Sequence, residues 1–234
     1  HFTLKFSFFL FCREKEEIDK KRIQRFFFHM FIGGFSALVF TYVDIIMLGI
    51  FLKKMKYIGL YNASSSLIWG LIGALSFASV FLPIFSQIKK RRLEYAFNES
   101  IRYSFLITIP AAFGISALSK YVILFIYGAN YLEASFILSL MAFLIIEGVN
   151  GGAFIAGLFF AREKPKTIAK IMTLVLIFDI ILNFILITSF IKVSELFALT
   201  GVAIATVISR YVFFISLIII MKRKFRIEEP RYQG

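Results

Sequence analysis

The stretch from Phe26 to Leu52, FFFHMFIGGFSALVFTYVDIIMLGIFL, constrains this chain more than any other. It is one apolar run with a single carboxylate, Asp44, set well inside it. About 20 apolar residues in a helix cross the hydrocarbon core of a bilayer. Asp44 stands roughly five residues past the middle of the run, about 8 Å from the midplane at helical rise. A carboxylate at that depth costs about 2.5 to 3.5 kcal/mol even on the most lenient insertion scale, so it must face a bundle interior or a wet cavity. Gly33, Ala37, Thr41 and Asp44 follow one another at helical spacing, so the carboxylate shares its stripe with small residues and not with Phe31, Phe35 or Leu38. The remaining apolar runs are expected to pack around that stripe.

Of the 234 residues, 59% are hydrophobic, and the mean hydropathy is +0.83. Soluble domains are nearer half apolar, so the chain reads as an integral membrane protein. The net charge of +13 would suggest a nucleic-acid partner in a soluble protein. Here the basic residues lie in short segments between apolar runs, which is a membrane-topology pattern and argues against nucleic acid. The single cysteine, Cys12, excludes an internal disulfide framework, and two histidines, His1 and His29, are too few for a histidine metal site. Neither a metal nor a cofactor is expected.

Residues 1–25 read as a charged cytoplasmic or interfacial segment, 26–222 as a bundle of about six spans, and 223–234 as a cytoplasmic tail. The chain begins at His1, not Met, and is expected to be a fragment. The second run, Tyr57 to Ile88, carries Asn62, Ser66, Gly73 and Ser76 near one stripe, expected to face other helices, with Pro83 near its exit. The third span is expected over Arg102 to Leu118, kinked at Pro110. YVILFIYGANY follows Lys120 as a piece too short to span, with a turn at Gly128 and Asn130. The fourth, Leu132 to Phe160, carries Glu147 and Asn150 in EGVNGGAFIAG, whose four glycines weaken a helix. The fifth, Ile168 to Phe190, holds Asp179 and Asn183 on one face. The sixth, Phe197 to Met221, holds Arg210 near its middle and a small-residue stripe of Gly201, Ala205 and Ser209.

Of the 27 lysines and arginines, 21 fall in the terminal segments and in the loops near 89–102 and 162–170, and five fall on the opposite side. The positive-inside rule then puts both termini in the cytoplasm.

DIIMLGIFLKKMKYIGLYNAS, FLPIFSQ, TIPAAFGISALSKYVILFIYGANYLEAS and ALTGVAIATVISR, in this order and spacing, resemble the polysaccharide (oligosaccharide) flippases of the multidrug/oligosaccharidyl-lipid/polysaccharide transporter superfamily. The resemblance covers nearly all of residues 23–222 and is to the second of the family's two helical bundles. It implies an all-α, polytopic transmembrane bundle that is one half of a two-bundle transporter, partnered by a missing N-terminal bundle. It implies transport of lipid-linked oligosaccharide across the cytoplasmic membrane by alternating access, without enzyme chemistry. The family's pattern places an aspartate where Asp44 stands. A drug or cation antiporter half of the same superfamily, or a non-transporting truncated membrane protein, are the alternatives.

A lipid-linked saccharide carries a phosphate or pyrophosphate beside its sugar head, and a guanidinium fork suits such oxygens. Arg210 is the basic residue deep in a span and the candidate phosphate contact; an ion pair to Asp44 or Asp179 is the structural alternative. Asp44 either holds a coupling proton or sodium ion or joins helices by hydrogen bonds. Glu147 and Asn150 beside the glycines either line a pathway or sit in an ordinary helix. Asp179 with Asn183 either meets sugar hydroxyls or glues helices together. Trp69 and the phenylalanines read as lipid-facing bulk. No nucleophile–base set or phosphate loop is visible.

Overall fold

The computed structural model describes residues 20–76, 90–155 and 165–225. All the regular structure among them is helical: α1 (Lys20–Phe51), α2 (Met55–Leu75), α3 (Lys90–Tyr127), α4 (Ala134–Met141), α5 (Leu144–Glu147), a π-helix (Gly148–Ile155), α6 (Pro165–Phe190) and α7 (Glu195–Phe225). Among the described residues, six helical stretches are long and apolar enough to cross a bilayer. Hydrocarbon offers a backbone no partners, so apolar runs of this length close their hydrogen bonds within helices. The chain is a polytopic membrane helical bundle, as its hydropathy implied.

Two groups of helices form the bundle. In one, α6 packs along both α1 and α7; in the other, α4 packs on α2 and α3. The two groups meet where α7 crosses α4 and the π-helix. Water cannot drive helices together inside a bilayer, so close approach and interhelical hydrogen bonds must. Both are present. A side chain at Gly33 would stand 3.4 Å from the Cα of Ala169, and one turn on, Ser36 and Thr173 hydroxyls are 3.1 Å apart. Ser64 donates to the carbonyl of Ala134 at 3.0 Å, Ser116 and Ser139 hydroxyls meet at 2.8 Å, and Tyr211 donates to the carbonyl of Phe143 at 3.0 Å.

Gly201 lets α7 lie against the end of α6. A Cβ there would sit 2.8 Å from Phe190 Cδ2 and 3.4 Å from the Leu186 carbonyl oxygen. Gly201→Leu should therefore cost about 1–3 kcal/mol by overpacking and lower the melting temperature in detergent. Gly34→Leu, placed where a Cβ meets nothing within 4 Å, should leave it unchanged. Equal melting temperatures for the two variants would contradict the packing described.

Two expectations are revised and one is made specific. The third span does not stop near Leu118: α3 runs unbroken through Pro110 and Lys120 to Tyr127. YVILFIY contains no breaker, and Lys120 is exposed, so its long side chain can carry the charge towards the surface. The stop comes at Gly128, whose φ of +82° suits glycine, followed by a 3₁₀ turn over Ala129–Tyr131. The weakening expected at the glycines takes the form of a wider helix: Gly148–Ile155 is π-helical. Lastly, Asn62, Ser66 and Gly73 of α2 do not face the other helices among the described residues but lie exposed, while Leu60, Tyr61, Ser64, Ser65, Ile68 and Ile72 form the buried face. Pro83, the end of the second run and the 1–19 segment lie outside the described residues.

Candidate functional site

A cavity of about 10 Å³, room for about one water molecule, lies between α1 and α2 with α7 behind it. Its lining follows from helical spacing. Phe40 and Asp44 of α1, Tyr61, Ser65 and Trp69 of α2, and Thr206 and Arg210 of α7 each repeat every four residues, so each helix presents one stripe.

Asp44 is 3% exposed and is held by donors from three helices. Its Oδ2 accepts from the Tyr61 hydroxyl at 2.7 Å and from Thr206 at 2.8 Å. Its Oδ1 accepts from Asn183 Nδ2 at 3.0 Å. Thr206 is also 2.9 Å from the carbonyl of Val202, so its single proton serves one acceptor at a time. Bonds to an ionised carboxylate are the stronger kind and offset part of what burial costs it.

Arg210 makes no ion pair among the described residues; neither Asp44 nor Asp179 lies within 4.0 Å of it. Its guanidinium instead lies between two aromatic rings, with Cζ 4.2 Å from the Phe40 centroid and 4.6 Å from the Trp69 centroid. Contacts of this kind contribute up to about 2 kcal/mol when desolvated. Its Nε has no hydrogen-bond partner. A cation held by ring faces keeps its in-plane donors for a ligand, whereas a carboxylate pair would consume them.

The other acidic positions do not line the cavity. Asp179 lies beyond Asp44, with Ser209, Arg210 and Asn183 as its polar surroundings. Neither of its oxygens reaches a hydrogen-bond partner, and neither does Asn183 Oδ1. Glu147 is separate. It is 1% exposed at the junction of α5 with the π-helix, and both its oxygens are unpartnered. A Cβ on Gly151 would be 3.4 Å from its Oε1. Asn150 bridges the π-helix to α3, donating to Thr108 at 3.1 Å and to the carbonyl of Ile146 at 2.8 Å. The structure thus brings together Asp44, Asn183 and Arg210, with Asp179 adjoining, and leaves Glu147, which still feels the Arg210 charge, and Asn150 outside the cavity lining.

Sequence reasoning passed over Tyr61, Thr206, Phe40 and Trp69. Their signal was present in the four-residue repeats just described. Trp69, taken for lipid-facing bulk, is half-buried and covers one face of Arg210.

Residues 13–136 match the family model described as polysaccharide biosynthesis protein. The chain belongs to that family. The match includes α1, α2, all of α3 and the first residues of α4, and so contains Asp44, Tyr61 and Trp69. This polysaccharide biosynthesis family member is also 28% identical over 120 residues to a Haloferax volcanii protein named as a probable low-salt glycan biosynthesis flippase. The aligned stretch is 47% of this chain and 24% of that protein, so the chain spans about a quarter of its relative's length. No solved structure matches the family member described here.

Proposed function

We propose that this chain is the C-terminal half of a flippase that moves lipid-linked oligosaccharide across the cytoplasmic membrane by alternating access, with both termini cytoplasmic. The observation that carries the reading is Arg210, a guanidinium inside the membrane that is clasped by two rings and has no carboxylate partner within 4.0 Å. Buried charges in membranes pair with one another or mark a pathway. A cation at a cavity, unpaired within salt-bridge distance, fits the phosphate that joins a saccharide to its lipid. The relative's name supports a glycan cargo, and the charge asymmetry of the loops supports the orientation. Asp44, fastened to α2, α6 and α7, is the position where a coupling proton or monovalent cation binds, with Asn183 and Asp179 behind it. Glu147 and Asn150 mark the segment whose π geometry gives way as the bundle opens. The partners are the bilayer, the lipid-linked saccharide and an N-terminal bundle of the same protein; no covalent chemistry is involved.

The excess of buried carboxylates over Arg210 favours a second reading, a drug or cation antiporter half of the same superfamily. One experiment separates the two. A strain lacking its polysaccharide flippase should regain surface glycan when supplied with the full gene product. An antiporter would leave glycan unrestored and raise resistance to cationic dyes instead.

A further inference from the structure

The exposed face of α2 does not have the chemistry of a lipid-facing helix. Each of the other long spans turns large apolar side chains outward: Phe35 and Leu38 from α1, Leu106 from α3, Ile177 from α6, Ile215 from α7. From α2 only Met55, its first residue, does so among the described residues. Between Tyr57 and Leu75 the exposed positions are Asn62, Ser66, Gly70, Gly73 and Ala74. An amide and a hydroxyl turned into hydrocarbon would each lose their hydrogen bonds to water, at a cost of order 2–7 kcal/mol. Packing within the bundle does not explain the glycines, because a Cβ at Gly70 or Gly73 meets nothing within 4 Å.

This face adjoins the cavity. At 100° per residue, Trp69 lies between the cavity-lining Tyr61 and Ser65 and the exposed Asn62 and Ser66. Arg210, 8% exposed and with Nε unpartnered, stands under Trp69 at the cavity. We propose that the Asn62–Ser66–Gly70–Gly73 face of α2 is the track along which the hydrated saccharide head moves while Arg210 holds its phosphate. The proposal rests on the flippase reading and deepens it. Asn62 and Ser66 exchange hydrogen bonds with sugar hydroxyls, the edge of Trp69 offers an apolar surface to sugar C–H groups, and the glycines leave a flat wall that admits heads of different size.

The test places single cysteines in a Cys12→Ser background and treats membranes with a charged, hydrophilic methanethiosulfonate. The reagent attacks thiolates, which form only where water reaches. Ser66→Cys and Gly70→Cys should react; Leu106→Cys and Ile177→Cys, on lipid-facing surfaces, should not. If the two α2 positions are as inert as those controls, the face is covered by lipid or by another helix, and the proposal falls. In a second arm, Ser66→Leu should lower flipping about tenfold or more at unchanged membrane level, with polyprenyl phosphate binding intact, while Ser66→Thr, which keeps the hydroxyl, should recover a large part of the loss. Normal flipping by Ser66→Leu also overturns the track. Reactive cysteines in a protein that moves no lipid-linked saccharide would instead leave a wet face and remove the flippase reading.

Discussion

Asp44→Asn should accumulate in the membrane at normal level, keep its melting temperature within a few degrees, and lose flipping about tenfold or more. The geometry supplies the reasons for both halves. Tyr61 and Thr206 donate to one carboxylate oxygen and Asn183 to the other. Hydroxyls both donate and accept, and an amide can turn, so an asparagine at 44 can be satisfied by rotation of its neighbours. Interhelical hydrogen bonds in membranes average about 0.6 kcal/mol, so the structural change is small. The charge, however, is gone, and with it any capacity to take up a proton or a monovalent cation. Asp44→Leu should behave differently. It strands the Asn183 donor in the core, at about 1–3 kcal/mol, while Tyr61 can still donate to Thr206 3.2 Å away, and should lower the melting temperature as well as activity. The check is glycan export by strains with matched membrane levels, alongside melting of the purified variants. Full export by Asp44→Asn would reduce Asp44 to a structural joint.

Arg210→Gln should abolish flipping while the protein still folds, its stability lowered by no more than the lost ring contacts. No carboxylate within 4.0 Å depends on this guanidinium, so removing its charge breaks no direct ion pair. What is lost is stacking on Phe40 and Trp69, worth up to about 2 kcal/mol, and the cation itself. Arg210→Lys separates these contributions. It keeps a point charge but not the fork or the plane that fits between two rings, so it should retain a measurable fraction of activity, well below that of arginine. Trp69→Leu should mimic part of the defect by freeing one side of the guanidinium, which a lipid-facing bulk residue would not do. Export rates of the three variants, ranked Trp69→Leu and Arg210→Lys above Arg210→Gln, check the account.

The spans were legible because hydropathy and length act locally: Phe26–Leu52, Ile168–Phe190 and Phe197–Met221 each lie close to an observed helix. The end of α3 was misjudged because Lys120 looked like a boundary, whereas a lysine near a membrane surface extends its charge outward and leaves the helix intact. The stripe Gly33, Ala37, Thr41, Asp44 was visible as a stripe, and Gly33 and Asp44 are buried while Phe31, Phe35 and Leu38 are exposed. What could not be read was which helices would meet it. Asn183 is 139 residues from Asp44 and Thr206 is 162, and no local pattern records such pairing. The α2 stripe failed for the same reason. Small polar residues suit both a helix interface and a wet wall, and only the packed bundle shows that Ser64 and Ser65 are inside while Asn62 and Ser66 are out.

The central claim is that Arg210, clasped by Phe40 and Trp69, is where the phosphate of the cargo binds. Equilibrium binding of polyprenyl phosphate to the purified full gene product tests it most directly, with polyprenyl alcohol as the control. The account predicts binding of the phosphate over the alcohol, weakened about tenfold or more by Arg210→Gln and less by Arg210→Lys. Equal affinity of Arg210→Gln and the unaltered protein for polyprenyl phosphate would contradict it.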